Sequence, residues 1–554
     1  MMFLSKIPSK SFRLPKIGGG ASTAILMCSS CGQLITREED GQKARNNRLV
    51  FLRDQTGKLR RDISILSPSI IQFMNAFKRH QIILSLGLIV ALAPVRGFSQ
   101  QSGKYTPIQV QVKTRSNNPG TGPTFNDWKP FETRTVDHLL DFKPSDKQAF
   151  NIYGSDPTRK SKATGFFRTE KIKDRWWIID PLGFAGLNVV VNSINRGQSP
   201  RSKQVFEEKF KSVENWSAQT TVYLQELGFT GAGSWSEHEA LIANNAKSKK
   251  PFSYCINWNF MSSYGKKRGG TFAVPGHTGY PGGAIFVFDP EFEKFCDEHA
   301  KQLLKYKDDP NLFGYFSDNE MPLSPKNLEG YLNLENKKDA GYLAAKKWMD
   351  ERGLTLSQIT DKERNQFLAF AGERYFSIVY KAIKKYDPNH LFLGSRLYSK
   401  EKNVPEFITA IGPYVDILSM NYYGAWTPNK EYMNNWTAWS GKPFMVTEFY
   451  TKGEDSGLPN KSGAGWLVKT QADRGYAYQN FCLGLLESKN CVGWHWFKYI
   501  DNDPTDPKAE LSNTDANKGI MNGFYEPYAP LAEKMRMLNL NRYALIDYFD
   551  KLSK

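Results

Sequence analysis

Leu312-Phe313-Gly314-Tyr315-Phe316-Ser317-Asp318-Asn319-Glu320 is an apolar run that closes on a carboxylate, and Pro443-Phe444-Met445-Val446-Thr447-Glu448-Phe449 is a second run carrying one near its end. A buried strand that finishes in an acid presents it at the C-terminal rim of a parallel sheet, where α/β barrel enzymes place their chemistry. A retaining glycosidase needs two such acids on different strands. One protonates the leaving oxygen and the other attacks the anomeric carbon, with the carboxyl groups about 5–5.5 Å apart.

The chain around these runs alternates strand and helix patterns. Phe184 to Val190 reads as a first strand, fed by the hairpin sequence Trp176 to Gly183, and Phe229 to Gly233 reads as a second. Phe252 to Trp258 is a third and opens into a Gly/Pro-rich excursion from Gly265 to Gly283, long enough to be a binding loop. The Glu320 run is the fourth, Leu391 to Arg396 the fifth, Val415 to Tyr423 the sixth, the Glu448 run the seventh, and Val492 to Phe497 the eighth. Helical spacing is read over Trp216 to Leu227, Glu291 to Tyr306, Arg364 to Tyr386 and Thr470 to Ser488, with an insertion from Met321 to Thr360. This order predicts an α/β fold, a (β/α)8 TIM barrel over residues 165–554, behind a short β-type lead-in over 100–164 that is partly mobile.

The chemistry is expected from Glu320 as general acid/base and Glu448 as nucleophile. An acid that donates near neutrality and later acts as base on water needs a raised pKa, through burial or its partner's charge. Asn319 is a candidate to hold the sugar 2-hydroxyl, and Tyr422 or Tyr423 to donate to Glu448. Arg396 and His495 are candidates to bind substrate or fix a carboxylate, with a buried structural role the alternative for each. Trp235, Trp258, Trp426 and Trp496 fall at or near strand outlets as candidate sugar platforms; Asn188 in the first strand and His277 in the Gly-rich loop complete the substrate-binding set. Bland alternatives exist for both acids: Asp318-Asn319-Glu320 as a helix cap, Glu448 as a surface acid on an edge strand.

No cofactor and no metal is expected. There is no HExxH, no CxxC beyond residue 31, and Asp501-Asn502-Asp503 lacks the Gly and distal Glu of an EF-hand loop. Cys255 and Cys491 lie in apolar runs and read as packing residues, while spacing selects no disulfide among Cys255, Cys296, Cys482 and Cys491.

The net charge of +18 is misleading, because the first 99 residues carry 15 Lys+Arg against 5 Asp+Glu, more than half of the surplus. Beyond them, cations are interspersed with acids as on a solvated surface, so no nucleic-acid partner is expected. From Met74 the chain reads as a secretory signal over 74–99. Lys78, Arg79 and His80 precede the apolar stretch Ile82 to Pro94, which is too short to span a bilayer, and Gly97-Phe98-Ser99 supplies small residues for cleavage. Residues 1–73 are then expected to be an over-extended upstream reading of the gene. The mature protein is expected to be exported to the periplasm, cell surface or medium, without stable membrane insertion. Aromatic residues make up 14% of the chain, which suits sugar stacking and core packing alike.

Three stretches resemble the β-agarases of glycoside hydrolase family 50: Leu227-Gly228-Phe229 with Gly233-Ser234-Trp235-Ser236, Phe316 to Glu320, and Gly493-Trp494-His495-Trp496-Phe497-Lys498-Tyr499 with Asp501-Asn502-Asp503. Asn517-Lys518-Gly519-Ile520 fits the same pattern, and the likeness spans about residues 165–545. The resemblance implies a retaining (β/α)8 glycosidase that hydrolyses β-1,4 linkages of agarose, commonly in exo fashion, with acid/base and nucleophile at Glu320 and Glu448. It departs at the front, where those agarases carry a large carbohydrate-binding-like β-domain. The expected partner is an agarose-type polysaccharide or oligosaccharide. The same mechanism on another β-galactoside, porphyran or a β-glucan, and a non-catalytic carbohydrate-binding barrel, are the competing expectations.

Overall fold

The structure, a computed structural model, describes residues 22–27, 34–39, 105–118, 122–506, 508–510 and 512–553. Residues up to Gln100 and those from Gln101 form separate units. In the first, Ser22–Met27 pairs antiparallel with Leu34–Glu39. The expected signal segment lies outside the described residues.

The second unit is built on eight strands: β1 (Asn188–Val191), β2 (Gly231–Ala232), β3 (Ser253–Asn257), β4 (Leu312–Phe316), β5 (Leu391–Phe392), β6 (Leu418–Asn421), β7 (Phe444–Phe449) and β8 (Cys491–Trp496). They form one sheet in the order β5-β4-β3-β2-β1-β8-β7-β6, and every neighbouring pair is parallel. All eight expected strands are present and in order, the first seven shorter than expected and the eighth of equal length but one residue earlier. The near-continuous apolar character of β4 and β7 has a direct cause: every residue of both is buried, as in parallel sheets covered on both faces. Beyond β5, the chain continues to bond to β6: Asp416 N donates to Phe392 O (2.8 Å), Leu397 N to Ser419 O (2.9 Å) and Asn421 N to Leu397 O (2.7 Å).

Helices cover the outer face, and polar caps define their starts. Thr360 and Glu363 form a capping box on Asp361–Tyr386, and Thr470 and Asp473 form one on Gln471–Glu487. The C-terminal helix Ala529–Leu552 lies against Gln471–Glu487, joined by the hydrogen bond from Tyr478 OH to Asn539 Oδ1 (2.6 Å). Among the described residues no helix is long and apolar enough to cross a membrane.

The lead-in is tied into the loops above the sheet. Ile108–Lys113 pairs antiparallel with Lys129–Thr133 on one side and with Trp466–Val468 on the other, and Thr451–Gly453 extends this four-stranded sheet in parallel. Val110, Val112 and Val468 form its core with Trp426 and Ala477. The expected β-type element is therefore completed by the chain leaving β7. Val112→Ala, removing two methyl groups from a fully buried site, is expected to cost about 1–3 kcal/mol and to lower the melting temperature by a few degrees in calorimetry.

Candidate active site

The site sits beyond the C-terminal ends of β4, β6 and β7. β4 stops at Phe316, and Glu320 lies four positions further on rather than on the strand itself. The intervening segment is held by the exit of β5: Ser317 N donates to Gly394 O (3.0 Å), Arg396 N to Asp318 O (3.1 Å) and Glu320 N to Arg396 O (3.0 Å). Asp318 turns away from the site. Its buried carboxylate accepts from Met261 N (2.8 Å), Ser262 N (3.1 Å) and Tyr375 OH (2.6 Å), so it does cap a helix, but that helix is Met261–Arg268 after β3. Glu320 then adopts a left-handed φ of +46°, a conformation unusual outside glycine that directs its side chain back over the sheet.

Glu448 lies inside β7, between β6 and β8, and so is no edge-strand surface acid. Its Cα is in register with Asn421 of β6, across a shift in pairing after Met420. Paired residues on neighbouring strands point to one face, and Asn421 uses this position to donate from Nδ2 to Glu320 Oε1 (2.7 Å). The two acids thus meet across a single asparagine. Thr447 Oγ1 fixes that amide by donating to Asn421 Oδ1 (2.9 Å).

Arg396 binds the pair together. It is fully buried, with Nη1 2.8 Å from Glu448 Oε1 and 3.1 Å from Asn319 Oδ1, and Nη2 donating to the Thr447 carbonyl. Its guanidinium lies 4.5 Å from the centroid of the Trp235 ring, which is 39% exposed. Tyr423 OH donates to Glu448 Oε2 (2.7 Å), and burial plus the nearby Glu448 push the phenol pKa well up, so it stays a donor. Both oxygens of Glu448 therefore face donors, matching an ionised carboxylate that only accepts.

Glu320 has the opposite environment. Its side chain is 12% exposed, and burial, followed by the charge of Glu448, pushes its pKa up to about 8, against the weaker opposing effects of Asn421 and Arg396. His277 comes from the expected loop after β3, which forms a hairpin of Phe272–Val274 with His277–Gly279. Its Nδ1 is 3.2 Å from Glu320 Oε2, without hydrogen-bond geometry, and burial lowers its pKa. One carboxyl that keeps its proton near neutrality beside one held by donors is the division of labour that acid-assisted nucleophilic displacement at a sugar requires.

The structure thus brings together Glu320, Glu448, Asn319, Arg396, Tyr423, His277 and Trp235. The other candidates require correction. Asn188 and His495 are buried and bond to each other, Oδ1 to Nε2 at 2.8 Å. Alternation along β8 turns Trp496 outward, with its indole on Lys518 O (3.0 Å) and its ring against Tyr478. Trp258 donates to His299 O, its ring tilted against that imidazole with centroids 5.3 Å apart. Trp426 donates to Thr133 Oγ1 in the lead-in (3.0 Å). Tyr422 accepts from Asn429 N and packs against Trp436 and Phe481, leaving Tyr423 as the donor. The three tryptophans and Tyr422 lie at or near strand outlets, but their side chains face the helix layer or neighbouring packing instead of the site.

Asn421, Thr447 and Asn192 were missed. Asn192 donates to Thr447 O (2.8 Å) and accepts from Ser234 N (2.9 Å), packed so closely that a Cβ on Gly233 would lie 2.1 Å from its Oδ1. Their one legible signal is an amide or hydroxyl at the end of an otherwise apolar strand. Asp501 accepts from Lys518 N, Gly519 N and Tyr528 OH, consistent with the strand-eight loop expected there. The four described cysteines are all free and buried, and no group of His, Cys, Asp or Glu among the described residues could hold a metal ion.

No protein-family model matches the chain. It is 27% identical over 480 residues to β-agarase B of Vibrio sp. (strain JT0107), covering 70% of this chain and 49% of that protein. The chain spans about half the length of that curated relative. The crystal structure of BpGH50 superposes with a TM-score of 0.72 at 35% identity, covering 81% of this chain and 98% of that one. A solved exo-β-agarase shares the fold, with a TM-score of 0.59 at 20% identity over 73% of this chain and 69% of that one.

The raised pKa of Glu320 has a consequence for stability. With its folded value near 8 against an ordinary 4.5, the proton it holds favours the folded state fully below 4.5, and this contribution is lost as pH rises towards 8. Glu320→Gln is therefore expected to show a melting temperature that gains on wild type between pH 5 and pH 8. Parallel pH dependence of the two proteins would contradict the assignment.

Proposed function

The chain belongs to glycoside hydrolase family 50, and from that premise we propose that it hydrolyses β-1,4-galactosidic linkages of agarose or a related red-algal galactan with retention of configuration. The observation that carries this reading is the pair of unlike carboxyls across Asn421: Glu320 with its pKa raised to about 8, and Glu448 held by Arg396 and Tyr423. β-Agarase B, a relative over 70% of the chain, supports agarose as the substrate class.

In the first step Glu448 attacks the anomeric carbon while Glu320 protonates the departing glycosidic oxygen. Arg396 and Tyr423 hold Glu448 in line and release their share of its charge as the covalent glycosyl ester forms. In the second step Glu320, now ionised, takes a proton from water, which displaces Glu448 and restores both groups. Asn319 has its Oδ1 engaged by Arg396 and Asn421, so its amide nitrogen is the end that donates to the sugar 2-hydroxyl. Trp235, backed by Arg396, offers an exposed ring for a pyranose face. We take the eight strands to close as a (β/α)8 barrel, supported by the backbone hydrogen bonds from the exit of β5 to β6. A polymeric substrate fits the export read from Met74, since such a chain must be cleaved outside the cytoplasm.

Incubation with agarose, porphyran, carrageenan and laminarin, followed by product analysis, tests the substrate, and turnover of agarose is expected. Proton NMR of the first-formed product is expected to show the β anomer; an α anomer contradicts double displacement. Glu320→Gln and Glu448→Gln are each expected to lower kcat by at least about 10³-fold with the fold intact. Turnover like wild type in either variant removes that residue from its role.

A further inference from the structure

The segment Tyr398–Lys402 after β5 reaches Glu320 along two routes. On one, Lys402 Nζ donates to the carbonyls of Tyr398 and Asn421, both at 3.1 Å, and Asn421 in turn donates to Glu320 Oε1. On the other, the Tyr398 ring stacks on His277, centroids 5.3 Å apart, and His277 stands 3.2 Å from Glu320 Oε2. Glu401 ties the segment together by accepting from Tyr398 N (2.7 Å) and Ser399 N (2.9 Å) through Oε1, while its Oε2 is buried with no partner. Both charged residues are buried, Glu401 at 1% and Lys402 at 8% exposure, and no ion pair joins them. Burying two charges without direct pairing is costly, so their placement beside the acid calls for a reason beyond packing.

We propose that Glu401 and Lys402 are positioning residues for Glu320, holding Asn421 and His277 against its two oxygens and setting the electrostatic field it experiences. The inference rests on the reading of Glu320 as the acid/base. Other charged or titratable groups also face Glu320: Glu448 from β7, Arg396 from the exit of β5, Tyr423 from the exit of β6, and His277 from the β3 hairpin. None of these four residues is substituted in the variants that test the proposal. The charge of Glu401 acts to raise the pKa of Glu320, while burial lowers the pKa of Lys402 against the charges of Glu401 and Glu320, so the acid and the base act on Glu320 in opposite directions. Burial pushes the pKa of Glu401 up, against the opposing effects of its backbone donors and the charge of Lys402.

The test titrates the Glu320 carboxyl directly, by ¹³C NMR of the full chain labelled at glutamate carboxyls, its signal identified by its loss in Glu320→Gln. Glu401→Gln, which is isosteric, is expected to move the midpoint down by about half a pH unit. Lys402→Met is expected to move it up by about as much, and Lys402→Arg to restore it. A role in structure alone changes activity or melting temperature without this opposed pair of shifts. An unmoved midpoint in Glu401→Gln overturns the proposal even should Lys402→Met not fold, and shifts of the same sign in both overturn it as well. Since the titration needs no substrate, failure of the wild-type protein to hydrolyse agarose counts against the proposed function and leaves this result to be judged separately.

Discussion

A buried guanidinium holds the site together. Arg396 bonds to Glu448, to Asn319 and to the Thr447 carbonyl through its side chain, and to the Asp318 and Glu320 segment through its backbone. One residue at the exit of β5 thus fixes the acids contributed by β4 and β7. Removing one partner of a buried ion pair costs about 3–5 kcal/mol, because the other charge is left unpaired in a poorly polarisable interior. The same burial that makes Arg396 indispensable separates the carboxyls. Glu448 receives the cation and the phenol, while Glu320 receives an amide and the repulsion of Glu448.

The surroundings are built to hold groups in states they would not choose in water. Glu320 and Trp235 both adopt left-handed φ values, +46° and +57°. Glu320 retains a proton that an exposed glutamate loses well below neutrality. Such strain persists only where neighbouring structure over-determines it. Here the determinants are the β5 exit on one side, the Asp318 cap on helix Met261–Arg268 on another, and the amide layer of Asn421, Thr447 and Asn192 beneath. The lead-in contributes at one remove, by completing a sheet with the chain that leaves β7 and by anchoring Trp426.

The order of strands and helices could be read from the sequence because a parallel sheet buried on both faces leaves apolar runs, and helices between them keep a 3.6-residue pattern. Both acids were legible for the same reason, as a glutamate at or near the end of each run. What escaped was orientation. Trp258, Trp426 and Trp496 lie at strand outlets as Trp235 does, yet a two-residue alternation or a turn sends their rings into the helix layer or the lead-in. His495 and Asn188 bond to one another in the interior, a pairing between residues 307 positions apart that no local pattern announces. Asn421 was passed over because an amide in an apolar strand carries no charge to draw notice, although its register opposite Glu448 places it between the acids.

The central claim is that Glu448 becomes covalently bound to the sugar while Glu320 supplies the proton. Mass spectrometry of Glu320→Gln, quenched during reaction with a galactosyl substrate bearing a leaving group that needs no protonation, tests this most directly. The account predicts a glycosyl adduct on the peptide containing Glu448. An adduct on any other residue, or continued turnover of that substrate by Glu448→Gln, would contradict it.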